Sequence, residues 1–135
     1  MEMENNQRPT LLLVLLIVGI VTTILHYTDN FLFFDNYPVP TWITKPSVYV
    51  AWLILTSFGI AGYWLYKQRL FWIAYVCLCV YSITGVSSLG HYFYGSLTNF
   101  SVKMNTLIWL DAISGTALLS FTLWSGLVLK EWQKA

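Results

Sequence analysis

Two histidines and a small set of acids carry most of the chemical potential of this 135-residue chain. His26 and Asp29 form an H-x-x-D pair. Positions i and i+3 share one face of a helix, and two ligands at that spacing can share a metal ion, as E-x-x-H pairs do in di-iron bundles. His91 stands in "SSLGHYFYG" and Asp111 in "NTLIWLDAISG". Together His26, Asp29, His91 and Asp111 offer two imidazoles and two carboxylates, a donor set that suits a divalent metal such as zinc, iron or manganese. Asn30, Tyr37, Tyr94 and Asn105 are candidates to surround such a set, or to line a pocket for a small amphiphilic ligand in its place. A haem b held by His26 and His91 is the lower-ranked alternative, since cofactor sites in bundles are built between facing helices.

Asp111 is the strongest single signal because of its surroundings. It interrupts an apolar run, and a carboxylate there costs about 2.5–3.5 kcal/mol on insertion scales. Acids in such places face the interior and find a partner, so Asp111 is expected to be a ligand, a proton acceptor or a hydrogen-bonded strut.

The elements that must position these residues follow from composition. The chain is 57% hydrophobic and only 10% charged, where soluble domains carry roughly 25% charge. Too few charges remain to build a water-facing surface, so lipid is the expected solvent. Residues 10–27, 48–66, 70–90 and 104–129 are unbroken apolar runs, and a spanning helix needs about 20 residues. The expected fold is all-α and integral to a membrane: one domain over residues 1–135, an antiparallel bundle of four transmembrane helices. Residues 1–9 read as a polar tail. The first run is read as a retained helix rather than a signal peptide, because His26, Tyr27, Thr28 and Asp29 follow it instead of small residues.

Arg8, Lys67, Arg69, Lys130 and Lys134 fall on one side of that topology, and Lys45 and Lys103 on the other. The positive-inside rule then places both termini inside, in a plasma or inner membrane. Residues 29–47 form an outer loop rich in aromatics, with prolines at 38, 40 and 46 that oppose a continuous helix. The turn at Lys67–Arg69 is tight, so the second and third helices are neighbours. Small and weakly polar residues recur at helical spacing: Gly19, Thr22 or Thr23, His26 and Asp29 or Asn30; then Ala74, Cys77, Tyr81, Thr84, Ser88 and His91; then Asp111, Gly115, Leu118, Thr122 and Ser125. Helices in lipid pack through such stripes, so these faces look inward. On the second helix Trp52, Thr56, Gly59 and Tyr63 make the corresponding face. Asp111 then lies about 10 Å below the start of its helix, in the same outer half as the histidines.

Several function classes are excluded or weakened. Seven Lys and Arg spread without a run leave no electrostatic footprint for nucleic acid. Cys77 and Cys79, two apart on a helix, point to opposite sides and form no redox pair. There is no G-x-S-x-G elbow and no phosphate loop. The stretch "PTWITKPSVYVAWLILTSFGIAGYWLY" is similar to the Trp- and Pro-rich opening of the tryptophan-rich sensory (translocator) proteins. Four spans do not match that family's five, and no functional residue carries over. Small multidrug-resistance transporters also have four short spans, but the acid they carry in the first is replaced here by apolar residues and Thr. The expected function is a polar His/Asp site for a metal or amphiphile at the outer face. The alternatives are an accessory or assembly subunit of a membrane complex, and a small dimeric transporter. The expected partners are the lipid bilayer and a membrane protein or a second copy. No catalytic role is assigned.

Overall fold

The computed structural model describes residues 2–133. Lys134, counted above among the inner basic residues, lies outside them. The described residues form helices and turns and contain no strand. Four helices dominate: α1 Glu2–Leu32, α2 Lys45–Lys67, α3 Phe71–Val86 and α4 Val102–Leu123. With their continuations, four segments are long and apolar enough to cross a membrane: Gln7–Leu32, Lys45–Lys67, Phe71–Phe93 and Val102–Val128.

The boundaries differ from the expected ones for local reasons. The expected polar tail is helical from Glu2 onward, and Pro9 sits inside α1. A proline there removes one amide donor but has a helical φ, and Arg8 pairs with Glu131 to hold the segment. At its other end α1 continues through Asp29 and Asn30 to Leu32. Short polar side chains compete with a helix by bonding their own backbone. Here both are engaged elsewhere, Asp29 with Tyr37 and Lys103 and Asn30 with His91.

Beyond Val86 the third element tightens into a 3-10 helix, Ser87–Phe93. Ser87 and Ser88 donate their hydroxyls to the carbonyls of Thr84 and Gly85 at 3.2 and 2.7 Å, the back-bonding that loosens an α register. The fourth element widens into a π turn over Trp124–Val128. The turn between α2 and α3 closes with Arg69 in the left-handed region, φ 63°, where the Leu70 and Arg69 amides donate to Leu65 and Tyr66 carbonyls. This is the Schellman arrangement, with arginine in the position glycine usually fills.

The helices form a ring in which each packs on its chain neighbours and α4 closes back on α1. At one end the Arg8–Glu131 ion pair, the Tyr66 hydroxyl on Glu131 at 2.5 Å and the Trp72–Trp132 ring contact join α1, α2, α3 and the C-terminal turn. At the opposite end Tyr49 donates to Thr28 at 2.9 Å and Lys103 pairs with Asp29 at 2.5 Å. The core between them centres on Leu12, Leu16, Leu78, Tyr81 and Leu118. The small-residue stripes are buried as expected: Thr23, Ala74, Thr84, Gly115 and Ser125 all lie inside. Leu53, Ile54, Val76, Ile113 and Leu127 stand exposed on the outside of the ring.

Candidate functional site

Two glycines bring the third and fourth helices together beneath the site. A Cβ on Gly115 would lie 2.8 Å from both the Ser82 carbonyl oxygen and the Val86 amide nitrogen, and one on Gly85 would strike the Asp111 carbonyl. Only glycine admits backbone-to-backbone approach of this kind. The closeness lets the Ser88 hydroxyl share its one hydrogen between the Gly85 carbonyl at 2.7 Å and, across the interface, the Ile108 carbonyl at 2.9 Å. It also fixes Asp111, fully buried, against the face of α1.

Asp111 takes one partner of consequence. Its Oδ2 lies 2.8 Å from His26 Nδ1, and both side chains are almost completely excluded from the surface. Thr22 reaches the other carboxylate oxygen at 3.5 Å and Ser114 at 2.7 Å, so the α1–α4 seam is polar at this level. Asp29 belongs to a different group. It accepts the Tyr37 hydroxyl at 2.7 Å and pairs with Lys103, whose ammonium also lies 3.9 Å from the centre of the Phe33 ring. Burial pushes the Tyr37 phenol far above its ordinary range, and donation to Asp29 adds to the shift.

His91 bonds neither acid. Its Nε2 meets Asn30 Nδ2 at 3.1 Å and its Nδ1 faces the Pro38 carbonyl at 3.4 Å. Its ring nevertheless touches that of His26 edge to face, with centroids 5.4 Å apart. The Tyr37 ring lies tilted against both histidines, its centroid 6.0 Å from that of His26 and 5.1 Å from that of His91. Of the outer candidates, Asn105 serves the second connection, accepting from Tyr92 at 2.7 Å and donating to the Leu97 and Phe100 carbonyls.

These distances correct the expected ligand sets. Among the described residues no three His, Cys, Asp or Glu side chains are placed to hold one metal ion. The proposed ligands His26, Asp29, His91 and Asp111 are divided, because Lys103 and Tyr37 draw Asp29 away while Asp111 is turned onto His26. The haem arrangement does not fit either. Axial imidazoles stand on opposite faces of a porphyrin, whereas these two rings touch directly.

Beside the paired histidines lies a cavity of about 530 Å³. His26, Asn30, His91 and Tyr94 line it from the expected set; Asp111, Asp29, Tyr37 and Asn105 do not. Its walls are mostly apolar, with Pro38, Val39, Pro40, Trp42, Ile43 and Val48 among them. Ligand pockets fall in the range of roughly 300–1,000 Å³ and combine apolar walls with a few placed polar groups.

Compared with protein-family models, characterised proteins and solved structures, the chain matches none. The site therefore rests on its own geometry, and its least ordinary feature is polar. His26 Nε2, Asn30 Oδ1 and Thr84 Oγ1 are buried and have no hydrogen-bond partner, and all three residues line the cavity. Buried polar atoms are nearly always paired, and an orphan costs about 1–3 kcal/mol. Sequence reasoning missed Thr84 as a site residue, although it stood in the inward stripe one turn below Ser88. It also missed Lys103 as the partner of Asp29. A lysine at the start of a helix is ordinary, and nothing local in the sequence pairs it with the end of α1.

Proposed function

We propose that this chain is a membrane-embedded binding protein: an antiparallel four-helix bundle, N-in and C-in, holding a pocket for a small amphiphilic molecule in its outer half. The exposed apolar faces of all four helices support insertion. Arg8, Lys67, Arg69 and Lys130 lie at the end away from the cavity, and Lys45 and Lys103 at the cavity end, which supports the orientation. The observation that carries the binding reading is that three residues in the wall of one mostly apolar cavity each hold a buried polar atom with no hydrogen-bond partner. A ligand with a polar head and an apolar body meets both surfaces. The transporter reading has less support, since Asp111, the acid on which it rests, is already engaged by His26.

The test is ligand retention. The protein purified from its membrane in mild detergent is extracted with organic solvent and analysed by mass spectrometry. A small amphiphile in near-equimolar amount is expected with the native chain. It should be missing from Ala51→Phe, which places a ring in the cavity from a half-buried lining position. Equal retention by both proteins, or by neither, would overturn the reading.

A further inference from the structure

The hydrogen-bond chain around the cavity specifies what kind of head group it accepts. The Pro38 carbonyl can only accept, so His91 Nδ1 at 3.4 Å carries its hydrogen. No carboxylate contacts His91 to hold a second proton, so its Nε2 is a lone pair. Asn30 Nδ2 donates to that lone pair at 3.1 Å. This orients the amide and leaves Asn30 Oδ1 as a free acceptor.

The other side of the site has the opposite polarity. Among the described residues no other ion joins the buried Asp111–His26 pair, and Lys103 is committed to Asp29. An uncompensated charge there is strongly disfavoured, so the pair is net neutral. Two proton arrangements satisfy that condition with the shared proton on the 2.8 Å Oδ2–Nδ1 line, since an acid proton on Oδ1 has, among the described residues, no side-chain acceptor nearer than Thr22 at 3.5 Å. Either an imidazolium faces a carboxylate, or a carboxylic acid donates to His26 Nδ1. In both, His26 Nε2 carries a hydrogen. The orphaned Nε2 is thus a donor whichever of the two holds the shared proton. Thr84 Oγ1 can donate and accept.

The lining contains no Lys, Arg, Asp or Glu side chain, so nothing there compensates a phosphate or an ammonium. Building on the amphiphile pocket above, we propose that it selects an uncharged amphiphile with a hydroxyl head, such as a glycerol monoester. The hydroxyl oxygen accepts from His26 Nε2–H, its hydrogen goes to Asn30 Oδ1, and Thr84 takes a second hydroxyl. The acyl chain lies along Ile43, Val48 and the prolines of the 38–40 segment.

The test compares chain-matched probes on the full-length protein in detergent by equilibrium dialysis. The probes are a medium-chain monoacylglycerol, the lysophosphatidate, the primary amine and the fatty-acid methyl ester. The monoacylglycerol is expected to bind at least about tenfold more tightly than the other three, the scale of one or two lost hydrogen bonds. Asn30→Leu and Thr84→Val should each erase most of its advantage over the methyl ester; either variant suffices if the other fails to fold. A phosphate or amine probe that binds as tightly as the monoacylglycerol, and is displaced by Ala51→Phe, would overturn the head-group assignment and leave the pocket standing. Failure of every probe to bind the native chain would overturn both.

Discussion

Asp111→Ala should destabilise the protein more than a single lost hydrogen bond would. The substitution removes the acceptor 2.8 Å from His26 Nδ1. It leaves a fully buried imidazole whose second nitrogen already has no partner. Breaking one side of a buried pair costs about 3–5 kcal/mol. In lipid the unfolded chain also finds partners, which lowers such values, so about 3 kcal/mol is expected, at the lower end of that range. Asp111→Asn keeps the shape and one hydrogen bond and should cost about 1 kcal/mol. His26→Leu strands Asp111 with only Thr22 at 3.5 Å and should match the alanine variant. The double replacement His26→Leu with Asp111→Leu removes both polar partners and fills the space, so it should lie within about 1 kcal/mol of the native chain. Reversible unfolding in mixed micelles, followed by tryptophan fluorescence, measures all four. An Asp111→Ala loss under about 1 kcal/mol, or a double variant as unstable as the sum of the singles, would refute the view that these residues form one buried unit.

Gly115→Ala should cost about 1–3 kcal/mol, the range for overpacking, because its Cβ meets backbone at 2.8 Å and backbone cannot turn aside. Gly90→Ala, where a Cβ meets nothing within 4 Å, should be neutral in the same unfolding assay. Tyr37 supplies a pH signature. Its phenol is held protonated in the folded chain by burial and by Asp29, so its contribution is whole below the unfolded phenol value of about 10 and is lost as pH rises above it. Unfolding free energy measured from neutral to alkaline pH should therefore fall less steeply in Tyr37→Phe than in the native chain.

The fold was legible because helices this long and apolar follow a simple grammar. Unbroken apolar runs, small-residue stripes and tight turns can be read residue by residue, and Thr23, Ala74, Gly115 and Ser125 fall on the buried faces that periodicity assigns them. What could not be read is where side chains replace backbone rules. Pro9 looks like a helix boundary until Arg8 is seen to clasp Glu131. Ser87 and Ser88 look like ordinary helix residues until their back-bonding turns the third element into a 3-10 helix.

The site shows the same division more sharply. His26, Asp29, His91 and Asp111 lie at one end of the bundle, yet proximity does not decide which donor each acid takes. Asp29 and Asp111 are both buried acids, but Lys103 and Tyr37 satisfy the first, while His26 and, at 3.5 Å, Thr22 hold the second. That partition converts an apparent four-ligand cage into a His26–Asp111 pair whose imidazole lines a cavity. It also defines what is left over at the end of α1: the His26 nitrogen that Asp111 does not touch and the Asn30 oxygen that His91 does not use. The groups available to a ligand are the remainders of internal bonds. They follow only from counting hydrogens around the whole ring, from the Pro38 carbonyl to the Asp111 carboxylate.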